Sequence, residues 1–168
     1  LDSGVTPSLN GNLINSVVIE NCNVYYKKAK DNKKYIEDYL NGIIDIDNKS
    51  ANQVDNDFYF NGSFNTEPFG KENITFVCPD GAPALGIAKF IYDSEKFNGL
   101  NINYKIVSSD KIGGYLLNGL GDIVVCPINA ASKLYKAGKV KYRVLSVITH
   151  GNLYIMSKEK IELQDLKG

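Results

Sequence analysis

This 168-residue chain has no tryptophan and only one each of histidine, arginine and methionine. Each scarcity narrows the chemistry. With His150 alone and no CxxC pair, a structural zinc site lacks its ligands. Cys22, Cys78 and Cys126 are an odd number of widely spaced thiols, which argues against a disulfide scaffold. Arg143 is the only guanidinium, and the formal net charge is zero, so nothing in the composition favours nucleic acid or an anionic membrane. No stretch reaches the roughly 18–20 apolar residues that a membrane-crossing helix needs. The chain shows no signal peptide and no initiator Met, from which we expect a start after processing or by design.

What is present is ordinary for a globular domain: 43% hydrophobic and 23% charged residues. A chain of this size buries about 70% of its unfolded surface. Asn, Ile, Tyr and Lys are abundant, which suits an AT-rich genome. Asn61-Gly62-Ser63 and Asn73-Ile74-Thr75 match the glycosylation pattern, a short motif that also arises by chance.

The second half has the plainer pattern. Residues 74–78 (ITFVC) are a short β-rich run, broken by Pro79, Asp80 and Gly81. Residues 82–97 follow as a predicted helix with Leu85, Ala88, Ile91 and Tyr92 at helical spacing, and Pro83 suits its first turn. Residues 101–107 alternate as a strand. Asp110 is a candidate cap for a helix ending at Gly119. Residues 122–126 (DIVVC) read as another buried strand, with Cys78 and Cys126 as neighbours at strand ends. Pro127 opens a helix that Ala137-Gly138 ends. Residues 140–149 and 152–157 read as further strands.

The first half is more polar. Residues 7–18 read as a weak helix and residues 23–27 as a strand. Asp31 is a candidate cap for a helix with Tyr35, Ile36, Tyr39, Leu40 and Ile43 on one face. Residues 61–72 have linker composition. Strands alternating with helices predict an α/β fold with a mostly parallel sheet covered on both faces, a three-layer α/β/α sandwich.

In such sheets, ligands sit outside the carboxyl ends of the strands. Four small, polar or Gly/Pro-bearing junctions fall there. Asp80, Gly81 and Ala82 offer a capping carboxylate, a flexible approach and helix-start N–H donors. Ser108 and Ser109 follow the next strand. Pro127, Asn129 and Ala130 open the following helix, and Asn129 carries both a donor and an acceptor. Thr149, His150, Gly151 and Asn152 hold the sole histidine. A glycine-bearing dinucleotide fingerprint is absent, since PDGAPALG is not GxGxxG and LNGLGD lies between a helix and a strand. His150 has no Ser or Cys partner at a known nucleophile spacing, so catalysis is not expected. The junctions contain no arginine, which counts against a strongly anionic ligand.

Residues 79–91 (PDGAPALGIAKFI), 116–135 (LLNGLGDIVVCPINAASKLY), 144–157 (VLSVITHGNLYIMS) and 163–168 (LQDLKG) together resemble the first lobe of solute-binding proteins of the nitrate, sulfonate and thiamine-precursor type. Gly119, Asp122, Pro127, Asn129 and Ala130 stand in that family's order. Residues 4–8 (GVTPS), 20–26 (ENCNVYY), 31–46 and 55–60 (DNDFYF) resemble the part of lobe one that the family's C-terminal segment supplies. The resemblance therefore implies one domain over residues 1–168, in circularly permuted order. Residues 1–60 and 73–168 form the lobe, residues 61–72 link them, and lobe two is absent. It implies a single lobe of a type II periplasmic-binding-protein fold and capture of a small polar organic solute, such as a sulfonate, a thiamine precursor or a similar heterocycle, for a bacterial ABC importer.

The resemblance further implies no enzymatic activity, no cofactor, no metal and no nucleic-acid partner. Its implied partners are the solute, an ABC permease and a second lobe, with self-association through the cleft face as a further expectation. The implied location is extracellular, lipoprotein-anchored or periplasmic. The family's tendency to an aromatic residue near His150 implies that this ring stacks on or bonds a flat ligand. Two other classes fit the same residues: an isolated or engineered lobe without binding, and an enzyme of the pyrimidine-precursor synthase type. The latter needs a His- and Cys-rich site that this sequence lacks.

Overall fold

A computed structural model describes residues 16–62, 73–92 and 100–151, together with positions 158, 159 and 162. The expected strand at 152–157, the linker at 63–72 and most of the 7–18 helix lie outside the described residues. In chain order the elements are α1 (Ser16–Asn21), β1 (Val24–Lys28), α2 (Lys33–Ile46), β2 (Asn73–Pro79), α3 (Ala82–Tyr92), β3 (Asn101–Val107), α4 (Ile112–Leu117), β4 (Ile123–Val124), α5 (Ile128–Lys136) and β5 (Ser146–Thr149). The result is a mixed α/β fold with a three-stranded parallel sheet, ordered β3-β2-β4, and a two-stranded antiparallel sheet of β1 and β5.

The parallel sheet has a continuous register, with Asn73 opposite Asn101 and Pro79 opposite Val107. The Asn101 side chain donates to Asn73 at its start. Entry into β4 is clamped twice: the Thr75 N–H donates to the Asp122 carboxylate, and the Asp122 N–H donates back to the Thr75 carbonyl, both at 2.8 Å. Gly121 is buried beside this clamp because a Cβ there would meet Val77 and Val124 at 2.8 Å. β4 spans two residues rather than the five expected, since after Val125 donates to the Val77 carbonyl the chain turns toward α5.

Side-chain alternation sends the two faces of β2 to different helices. Val77 packs with Ile112 and Leu116 of α4, together with Val107, Val124 and Cys126. Phe76 and its cross-strand neighbour Tyr104 stack with ring centroids 5.6 Å apart, and the Tyr104 hydroxyl donates to the Phe90 carbonyl of α3. Thus α3 and α4 lie on opposite faces of the sheet. Cys78 is the penultimate residue of β2, whereas Cys126 lies two residues beyond β4 and packs with Val77, on the face opposite Cys78. Cys22, Cys78 and Cys126 are all free thiols.

The antiparallel pair is covered in the same two-sided way. On one side Gly86 of α3 approaches Val24 and Ile148. On the other, Val147 packs into a cluster of Ala29, Ile36, Leu40, Ala51, Phe58 and Tyr59, with Ile128, Ala131 and Tyr135 of α5 against it. A parallel bridge of Tyr59 with Val144 adds a further tie. Residues 16–62 therefore pack directly on the second half.

Several local expectations are corrected. Asp31 does not cap α2. It lies in a 3-10 turn, and Asn32 precedes the helix while its amide donates to the Lys28 carbonyl. Asp110 likewise lies in a 3-10 turn before α4, where a bond to Ser108 holds its carboxyl below the ordinary value. On α3 the buried residue is Ile87, whereas Tyr92 is 88% exposed. On α2, Ile36 and Leu40 are buried, while Tyr35 and Tyr39 flank the packed stripe and stay exposed. Both α4 and α5 end as expected: Gly119 and Gly138 take positive φ, and each following N–H bonds back five residues, to Tyr115 and Leu134.

Candidate functional site

The carboxyl ends of β2 and β4 lie side by side because the strands pair in parallel. The chain runs from β2 outward to β3, then back across to β4 on the other side. Reversal of strand order at the β2/β4 boundary makes a topological switch point, where a crevice opens between loops leaving in opposite directions.

Asp80 follows β2, is exposed, and its N–H donates to the Val107 carbonyl at 3.0 Å, fixing the ends of β2 and β3 together. Gly81 has φ +82 with open space around its missing Cβ. Only the backbone conformation demands glycine here. Its carbonyl accepts from Ala84 and Leu85, which starts α3. The N–H groups of Gly81 and Ala82 have no protein acceptor among the described residues, so two donors are presented at the crevice. Across it, exposed Pro127 precedes α5 and its carbonyl accepts from Ala131. Ala82 and Ala130 are half-buried beside these turns. Ser108, after β3, begins the 3-10 turn rather than projecting a capping side chain.

Asn129 is tied into the fold. Its amide donates to the Ser50 carbonyl at 3.2 Å, and its carbonyl accepts from Ser132. The Ser132 hydroxyl in turn accepts from the Asn52 N–H. These bonds anchor the loop of residues 47–54 to α5, leaving Asn129 with less free donor capacity than its sequence position suggested.

His150 lies past β5. Gly86, in the middle of α3, approaches Val24 of β1 and Ile148 of β5. The His150 N–H donates to the Asn23 carbonyl, and the Asn23 side chain donates to the Gly151 carbonyl at 2.9 Å. Asn23 has φ +48, the left-handed conformation that asparagine tolerates best after glycine. Thr149 pairs with Val24 and is half-buried. Asn152 lies outside the described residues.

Of the residues around His150, Tyr25 is one of the tyrosines that the sequence left as candidates for the cleft, with Tyr115 and Tyr154; Lys27 and Tyr35 were missed. The Tyr35 hydroxyl lies against the His150 imidazole, 2.5 Å from Nδ1 and 2.7 Å from Nε2. The Tyr35 ring meets the imidazole edge-on, with centroids 5.2 Å apart, and the Tyr25 ring lies 6.3 Å away. Burial, followed by the Tyr35 neighbour, pushes the Tyr25 phenol up to about 12, so it stays protonated. Lys27 places its Nζ 5.0 Å from the Tyr25 centroid and 5.7 Å from that of Tyr35. No carboxylate pairs with Lys27 among the described residues. The register of β1 shifts between Val24 and Lys27, so simple alternation does not place Tyr25 and Lys27 on one face; the pairing of Lys27 opposite Val147 directs Lys27 toward α2.

Elsewhere, a depression of about 150 Å³ lies between α2 and the following loop, lined by Glu37, Leu40, Asn41, Gln53 and Val54. It is not at the strand ends. Among the described residues there is no group of three His, Cys, Asp or Glu side chains placed to hold a metal. No helix among them is long and apolar enough to cross a membrane. No protein-family model, curated protein or solved structure matches the chain.

Proposed function

We propose that this chain is a solute-binding lobe of the type II periplasmic-binding-protein kind, a three-layer α/β/α sandwich that captures a small polar organic solute for a bacterial ABC importer. One observation carries this reading. The order β3-β2-β4, with α3 and α4 on opposite faces, puts the Gly81 and Pro127 turns together at a switch point, the place where open α/β sheets bind ligands. The N–H groups of Gly81 and Ala82, without a protein acceptor among the described residues, supply donors suited to a solute oxygen. Among the described residues, the side-chain hydrogen-bond partner of His150 is a tyrosine, so it forms no nucleophile–base pair with Ser or Cys, which favours binding over catalysis.

In this reading the lobe forms one wall of a cleft and a second lobe the other. A solute bridging both walls favours the closed form by its extra contacts there. The permease reads the closed form, and the protein works outside the cell, as a lipoprotein or in a periplasm.

Solute titrations of the isotope-labelled chain test this. Sulfonates, pyrimidines and related heterocycles should perturb the amides of Gly81, Ala82 and Ile128 with millimolar affinity, because one wall makes only half the contacts. Perturbation confined to the depression beside Glu37 and Gln53, or sub-micromolar binding by the monomeric chain in calorimetry, would overturn the reading.

A further inference from the structure

The corner formed by Tyr25, Lys27, Tyr35 and His150 points to a second half of the ligand site, one that accepts a planar ring carrying an anionic group, such as an aromatic carboxylate. This inference rests on the solute-binding reading and narrows its ligand class. Lys27 is exposed, has no carboxylate partner among the described residues, and is held over two tyrosine rings. An ammonium group in that position is steadied by the ring faces while its charge stays uncompensated. An anion adds the missing partner at no cost to an existing ion pair.

The remaining groups set the rest of the ligand. The Tyr25, Tyr35 and His150 rings are mutually tilted or edge-on, with centroids 5.2 to 6.3 Å apart for the contacts to His150, so they present edges and faces to an incoming ring. The Tyr35 hydroxyl and the His150 nitrogens already meet, which fixes the imidazole in place. The absence of arginine from the turns had argued against an anion; the charge comes instead from β1, paired with β5.

The test uses the full chain and three probes: benzoate, acetate and benzylammonium. Because His150 is the only histidine, its ring carbon and nitrogen signals report this corner without assignment ambiguity. Benzoate should move those signals saturably, at least about tenfold more tightly than acetate. Lys27→Met should weaken benzoate at least about fivefold, while Lys28→Met, on the neighbouring residue of β1, should leave it unchanged. Benzylammonium binding as tightly as benzoate would overturn the inference, as would equal binding of benzoate to Lys27→Met and the parent chain. So would saturable benzoate shifts at Gly81 and Ala82 with none at His150, an outcome that leaves the solute-binding reading standing. The absence of any benzoate shift at about 20 mM also overturns it.

Discussion

The switch-point turns and the His150 corner are built from different materials. Gly81, Ala82 and Pro127 offer backbone, positioned by parallel strands and by the cluster of Val77, Ile112 and Leu116 beneath them. Tyr25, Lys27, Tyr35 and His150 offer side chains, positioned by an antiparallel pair and by the cluster of Ile36, Leu40, Phe58 and Tyr59. Backbone donors bind many oxygen-bearing groups alike, whereas rings and one uncompensated ammonium discriminate by shape and charge. Generality belongs to the first region and selectivity to the second.

Core truncation separates the two most strongly. Leu40→Ala and Leu116→Ala should each cost about 2–5 kcal/mol in denaturant unfolding, since both side chains are buried. Below the transition, Leu40→Ala should shift the His150 ring signals and spare the Gly81 amide, with the reverse for Leu116→Ala. If both variants disturb both reporters equally, the regions are one mechanical unit and the comparison fails.

Two glycines sharpen it next. Gly121→Ala forces a methyl to within 2.8 Å of Val77 and Val124 and should cost about 1–3 kcal/mol. Gly81→Ala meets no neighbour, so only its positive φ resists, at about 1–2 kcal/mol. The second variant should lose solute binding at the turn beyond what its stability change explains.

The thiols report the two sheet faces. Burial pushes the Cys78 thiol up to about 12 and that of Cys126 to about 11. Cys78 is fully buried and Cys126 only half-buried, so alkylation followed by mass spectrometry should modify Cys126 before Cys78. Equal rates for Cys78 and Cys126 would mean that the two faces open together.

The smallest effect is electrostatic. The Tyr135 hydroxyl bonds Asp55 and holds its carboxyl below the ordinary value. A depressed folded value stabilises above the unfolded carboxylate range, and that stabilisation is lost as pH falls through the folded value. Tyr135→Phe should therefore lower stability at about pH 6 and differ less from the parent at about pH 3, flattening the acid side of the curve, as read from urea midpoints at the two values.

Much of the parallel half was legible in the chain. β2, β3 and α5 fall within a residue or two of their sequence expectations because strong local signals bound them: Pro79 and Gly81, the alternation after Asn101, Pro127 and Gly138. The face of α3 was not legible. Its sequence, APALGIAKFIY, is apolar almost all round, so spacing alone cannot choose a side; the close approach at Gly86 chooses, and buries Ile87. The caps assigned to Asp31 and Asp110 failed because 3-10 turns intervene before each helix. Of the site, the turns were visible as loop chemistry. Tyr25 could be raised as a cleft aromatic but not tied to His150, and Lys27 and Tyr35 were not visible, because only the pairing of β1 with β5 brings them to His150, and no local pattern encodes a partner so distant.

That distance has a kinetic consequence. Asn23 and Gly151 are held together although 128 residues separate them, while the contacts among β2, α3, β3, α4 and β4 are far more local. Closing the long loop costs entropy that is recovered only when β1 docks on β5. The parallel body should therefore assemble first and β1 last. In refolding, the backbone turns at Gly81 and Pro127 would form early and the side-chain corner late, so the environment of His150 would be among the last native signals to appear.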